Sequence, residues 1–383
     1  MIPAEALLDA FVNANILFCV AYLCWLGARQ LLKAFALKQA HGVQLQLLNI
    51  AFLVVLLAPF VSAGVAALQN SGMAPEIQMN LSDAVVAYYL NGGFEMKAAD
   101  LEGLILLRDT FTLNVLNASG WFAQGLIAAF LVGFVIGSVR LACSIACLHR
   151  IVKNSYGWRQ FGRVHIRLSD RTLVPFSTRG LRNFYVVLPS QLLGQDDQLK
   201  VSLAHEFQHI RQGDLGWEVL LEALKPFFFL NPCYHAWKRQ VEELREFSCD
   251  HEVLRQGRIS VRAYCDTLLS ICQNSLRKDR AFAIAVPKVT LVTAERSSLD
   301  GDKASLLKLR ILSALEPHGQ GRRNAIRSLI AIPLVAVVLV ATVAIQRPGD
   351  WSQDRLMLST VVNLERLDEI NRLSAFAGQR REP

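Results

Sequence analysis

Four stretches of the chain stay apolar for about the 20 residues that a helix needs to cross a bilayer core. They cover about 11–32, 45–68, 121–143 and 328–345. The second contains AFLVVLLAPFVSAGVAAL and the third centres on GLIAAFLVGFVIGSV. The fourth, SLIAIPLVAVVLVATVAI, carries no charge. The first is preceded by Glu5 and Asp9 and ends in Arg29. It has neither a basic leader nor an A-x-A site, so it reads as a span and not as a cleaved signal.

Between the third and fourth stretches the pattern changes. Val164, Ile166 and Leu168 alternate with His165 and Arg167, which predicts a strand. A turn-rich stretch with Pro175, Ser177 and Gly180 follows, and FYVVLP over 184–189 predicts a second strand. From Asp196 onward Leu199, Val201, Leu203 and Ala204 take helical spacing, with a stop at Gly213. Further helices are predicted over 236–257 and 261–276. WEVLLEALKPFFFL, 217–230, is too short and broken to span. It reads as a core helix or, with slight preference, as a segment at the membrane surface. In the tail, Leu356, Val361, Leu364, Leu367, Ile370 and Leu373 predict one amphipathic helix after Asp354.

Charge orients the spans, because basic residues gather on the cytoplasmic side. The connection after the first span has Arg29, Lys33 and Lys38 and no acid. The 69–118 loop has Glu76, Asp83, Glu95, Asp100, Glu102 and Asp109 against Lys97 and Arg108. The third span exits into Arg140, Arg150 and Lys153, and the fourth is entered from Arg322, Arg323 and Arg327. The expected organisation is a membrane domain over 1–148 with an extracytoplasmic loop at 69–118. A cytoplasmic domain over 149–327, the fourth span at 328–345 and an extracytoplasmic tail at 346–383 follow.

Composition agrees with a membrane protein that carries a sizeable soluble part. Hydrophobic residues make up 52% and charged residues 19% of 383, and mean hydropathy is +0.30. Disorder and collagen-like repeats are excluded. The net charge of +8 fits basic cytoplasmic loops, and no nucleic-acid motif accompanies it. The eight cysteines form no CxxC pair, and no disulfide framework is implied.

The sharpest chemical motif is His205-Glu206-Phe207-Gln208-His209, an HExxH. On a helix, positions i and i+4 share a face, so both imidazoles reach one zinc ion. Glu206 then points to the open side of the metal as the general base. A catalytic zinc wants a third protein ligand. Glu246, in the ExxxD of Glu246-Phe247-Ser248-Cys249-Asp250, supplies it, and Asp250 one turn on accepts the other ring N–H of a ligating histidine. Asp214 is either a similar partner or a helix cap. Cys249 faces away from Glu246 and reads as buried and apolar, and His235 as a packing or surface residue.

VPFSTRG at 174–180, FYVVLP at 184–189, HEFQHIRQGD at 205–214, NP at 231–232 with Trp237, EFSCD at 246–250 and LKLRI at 307–311 together resemble the M56 peptidases. These are the BlaR1/MecR1-like membrane metallopeptidases of antibiotic-sensing systems. The resemblance covers roughly residues 1 to 345. It implies a mainly α integral membrane protein with four transmembrane helices and a cytoplasmic α+β gluzincin-like zinc domain between the third and fourth. It implies that His205, His209 and Glu246 bind zinc and that Glu206 is the catalytic base. It also implies a bacterial cytoplasmic (inner) membrane location and regulated cleavage of a protein substrate, a transcriptional repressor or the protein itself. A homodimer is left open.

One departure matters. Those sensors carry a penicillin-binding domain after the fourth span, whereas here 38 residues follow Ile345. SxxK occurs at Ser275–Lys278 and Ser305–Lys308, without the SDN or KTG partners. β-lactam sensing is therefore not expected. Two rivals are a Ste24/HtpX-like membrane protease and a non-catalytic receptor that retains the metal fold. The strand–turn–strand block before HExxH disfavours the first, and the intact Glu206 the second. The strand at 185–188 is read as an edge on which an extended substrate could pair.

Overall fold

A computed structural model describes residues 4–34, 40–70, 81–93, 96–277, 289–290, 300–315, 323–345 and 353–379. Lys38, Glu76, Glu95, Lys278 and Arg322 lie outside the described residues. The elements run α1 (Ala4–Ala34), α2 (His41–Asn70), α3 (Leu81–Leu90), α4 (Ala98–Leu116), α5 (Gly120–Lys153), β1 (Tyr156–Phe161), β2 (Val164–Ser169), β3 (Phe176–Arg179) and β4 (Phe184–Pro189). They continue with α6 (Asp196–Gln212), α7 (Asp214–Leu224), α8 (Pro232–Arg255), α9 (Val261–Arg277), β5 (Val289–Thr290), α10 (Asp300–Leu315), α11 (Arg323–Ala344) and α12 (Gln353–Gln379).

Among the described residues, Leu8–Ala34, His41–Val65 and Gly120–Lys153 are long and apolar enough to cross a membrane. They contain the first and third predicted spans and all but the last three residues of the second. The fourth falls in α11, whose apolar part, Leu329–Ala344, is shorter.

The chain divides into two compact units. The first comprises 1–24, 50–129 and 332–383. Its core joins Val86 of α3, Ala98 and Leu101 of α4, and Leu358 and Val362 of α12. The Lys97 side chain does not cap α4. The Glu365 carboxylate of α12 does so instead, accepting the Ala98 N–H at 3.2 and 3.3 Å. The 69–118 segment, expected as a loop, thus carries two helices, and the helix of the tail packs on them.

The second unit comprises 25–49 and 130–331. Its sheet has the order β1-β2-β4-β3-β5. β2 and β4 are parallel, and the other pairs are antiparallel. Here the sequence reading needs correction. It expected a strand pair, but β3 lies in the stretch read as turn-rich, where Ser177 and Thr178 are buried although polar. β4 is not an edge: β2 covers one side and β3 the other. The outer side of β3 pairs with β5, Phe176 opposite Thr290 and Ser177 opposite Val289.

One face of the sheet seats α6. Ile166, Val186 and Leu188 pack against Leu199, Leu203, Phe207 and Ile210, which follow helical spacing along one side. Residues 201, 205 and 209 fall on another side. There Val201 joins Cys249, Val253, Tyr264, Leu268 and Ile271 in a second core shared with α8 and α9. The start of α2 also touches α8, where His41 stacks on Phe247 with ring centroids 4.8 Å apart.

Candidate metal centre

α6 stops at Gly213, whose φ of +76° is the left-handed conformation that favours glycine. The reversal starts α7 at once. Asp214 returns to the end of α6, and its Oδ2 lies 2.8 Å from His209 Nδ1. α8 is started by Asn231, whose side-chain oxygen accepts the N–H groups of Cys233 and Tyr234 at 3.0 and 3.3 Å, with Pro232 at the first helical position. Four turns later α8 presents Glu246, Cys249 and Asp250, all buried.

The two HExxH imidazoles converge. His205 Nε2 and His209 Nε2 are 3.0 Å apart. Glu246 places Oε2 3.5 Å from His205 Nε2 and Oε1 3.7 Å from His209 Nε2. A tetrahedral zinc ion with bonds of about 2.0–2.1 Å holds its donors roughly 3.3 Å from one another. The two nitrogens and the carboxylate have that spacing, and their chemistry suits zinc.

Each imidazole is held by its other nitrogen. His209 Nδ1 donates to Asp214. His205 Nδ1 lies 3.0 Å from the Tyr264 hydroxyl oxygen. Tyr264 in turn donates its O–H to Asp250 Oδ1, so the ring nitrogen is the donor to Tyr264. Both rings thereby keep the Nδ1–H tautomer and leave Nε2 free to ligate. Asp250, expected to meet a histidine directly, stands 3.5 Å from His205 Nδ1, and Tyr264 bridges them.

The sequence reading did not single out Arg310, which lies on α10 within LKLRI. Its Nε and Nη2 donate to Asp250 at 2.7 and 2.6 Å, and its Nη1 stands 3.0 Å from Glu246 Oε2. Burial works to raise the Glu246 pKa, but Arg310 and the two histidines outweigh it and hold the carboxyl at about 2. The only sequence signal for Arg310 was its place in LKLRI. Tyr264 left none beyond the apolar face of α9.

Cys249 lies on the Nδ1 side of His205, 3.5 Å away, and burial pushes its thiol well above the ordinary range. It remains a neutral packing group. Glu206 differs from every carboxylate around it. It is fully buried, and among the described residues neither oxygen closes a hydrogen bond. Burial pushes its pKa up to about 7, against the lowering influence of His209 and of the nearby Ser177 of β3. Behind Asp214 the polar interior continues through Arg245 to Glu218, 2.7 Å apart, and then to Lys238.

Paired imidazoles and an acidic third donor, beside a buried carboxylate with no partner among the described residues, have the chemistry of a metallohydrolase site. The chain belongs to the M56 peptidases: the family described as BlaR1 peptidase M56 matches residues 9–291. With three helices among the described residues long and apolar enough to cross a bilayer, it is in general terms a membrane metallopeptidase. No curated protein matches the chain.

Proposed function

We propose that the chain is a multi-pass zinc endopeptidase that cleaves a cytoplasmic regulator, a repressor or itself, at the inner face of the bacterial cytoplasmic membrane. The observation that carries this reading is the unpartnered Glu206 carboxylate beside the converging nitrogens of His205 and His209 and the Glu246 carboxylate. A bare buried carboxylate is costly, and nothing in the packing of α6 needs one there.

In this reading His205, His209 and Glu246 hold the metal. Zinc bound there supplies a Lewis acid that polarises the scissile carbonyl and acidifies water. Glu206 takes the proton of the attacking water and returns it to the leaving amine. Asp214, and Tyr264 with Asp250, hold the histidine rings in place. The acid-rich 69–118 segment and the basic flanks of α5 and α11 support the orientation.

Self-cleavage has a specific support. Val289–Thr290 of this chain lie along the outer edge of β3, Val289 opposite Ser177, the residue beside Glu206, where an extended peptide would pair.

The test compares membranes bearing the wild type with membranes bearing Glu206→Gln, by mass spectrometry of new protein N-termini. New termini in this chain or a co-expressed repressor, absent from the variant although it retains zinc, are expected. Cleavage that persists in the variant defeats the assignment of Glu206.

A further inference from the structure

The connection between α7 and α8, Lys225-Pro226-Phe227-Phe228-Phe229-Leu230, is anchored on α5. A Cβ built on Gly133 would lie 2.2 Å from the Phe229 ring, and one on Gly137 3.3 Å from Pro226 Cα. The two glycines form a notch one turn long that receives this loop. Phe229 meets Phe130 with centroids 5.8 Å apart, and Phe227 meets Phe134 edge-on at 5.1 Å.

The position of the notch along α5 sets its depth. From Gly120 to Val139 the helix carries no charged residue, and Arg140 is the first. Those 20 residues rise about 30 Å, the thickness of the hydrocarbon core. Gly137 and Gly133 lie three and seven residues before Arg140, roughly 5 and 10 Å inside that boundary at 1.5 Å per residue.

The loop is built for such a place. Non-helical backbone at membrane depth must satisfy its own polar groups. Phe227 N–H and Phe228 N–H donate to Leu224 O at 3.0 and 3.2 Å, and Asn231 N–H to Phe228 O at 3.0 Å. Pro226 has no N–H to satisfy. His235 Nε2 donates to Phe229 O at 2.9 Å, which gives that histidine a use. Pro226 and Phe228 are buried, whereas Phe227 and Leu230 are 47% and 63% exposed and face outward.

We infer that residues 226–230 dip into the bilayer leaflet on the Arg140 side of α5, with Phe227 and Leu230 among lipid acyl chains. The loop follows α7, which carries Asp214, and leads into α8, which carries Glu246. Its anchorage fixes the metal-bearing helices at the bilayer face. The inference rests on α5 crossing the membrane and is independent of the peptidase reading.

The test is photo-crosslinking of the full chain in nanodiscs of phosphatidylcholine and phosphatidylglycerol. Benzoyl-phenylalanine replaces, one at a time, Phe227, Leu230, Val135 on the exposed face of α5, and Leu181, which is fully exposed between β3 and β4. Adducts shifted by one lipid mass are expected at 227, 230 and 135 and not at 181. Gly133→Leu, which fills the notch, should abolish the shift at 227 and 230 and leave that at 135. A shift at 135 with none at 227 and 230 overturns the inference while α5 remains a span. No shift at 135 either removes the span on which it stands.

Discussion

The guanidinium of Arg310 reaches two carboxylates of α8 at once, lying 3.0 Å from Glu246 and forking onto both oxygens of Asp250. One cation therefore neutralises the proposed third metal donor and the acid that holds Tyr264. Arg310→Ala should lower zinc affinity by about 10–100-fold, the usual effect of losing a partner behind a ligand. Arg310→Lys should fall between, since an ammonium is a point charge without the fork. Competition against a chelator in detergent measures this, and equal affinity in all three proteins would refute it.

Asp214 holds His209 from outside the HExxH helix. Asp214→Ala frees that ring and leaves Arg245 without one of its acids. Zinc affinity should drop by about 10–100-fold, while Asp214→Asn, which keeps an acceptor oxygen, should lose less. The same chelator competition distinguishes the two variants, and an Asn variant as weak as the Ala variant would sink the argument.

Lys238 is buried with its Nζ 2.5 Å from Glu242, 2.6 Å from Glu222 and 4.0 Å from Glu218. The three carboxylates could be mistaken for a second metal site, yet the ammonium already occupies their focus. Lys238→Met leaves buried acids uncompensated, and the fold should lose about 3–5 kcal/mol. Denaturant unfolding in detergent should show the midpoint falling.

Glu218 gives this network a pH dependence. Burial acts to raise its pKa, but Arg245 and Lys238 outweigh burial and the folded value lies below the ordinary 4.5. The folded state thus binds the proton more weakly than the unfolded state. The stability from this group is fully present above about pH 4.5 and is lost as pH falls through the folded value. Glu218→Gln should flatten that acid limb of the unfolding midpoint, and an unaltered limb would rule Glu218 out as its source.

The parts of the site legible in the sequence are those in which a single helix sets the spacing. His205 with His209, and Glu246 with Asp250, are i, i+4 pairs, and Gly213 announces the end of α6. The remaining parts depend on which elements meet. Tyr264 comes from α9, within the residues that the family matches, and Arg310 from α10, beyond them, and no periodicity pairs them with α8. The sheet hid for similar reasons. β3 buries Ser177 and Thr178, which read as turn residues, and β5 is two residues long. The pattern of β4 shows that it is buried, but not which strands flank it, so its central place became visible only in three dimensions.

Arg310 follows Asp250 by 60 residues. At ribosomal rates of about 5–20 residues per second, the acids of α8 precede their cation by roughly 3–12 s. Throughout that interval a nascent chain owns every proposed metal donor and still lacks the clasp that fixes Glu246. Stalled chains that have emerged from the ribosome to about residue 300 should retain less zinc than chains that have emerged to about residue 320, which makes the order of synthesis itself a safeguard against a protease that matures too soon.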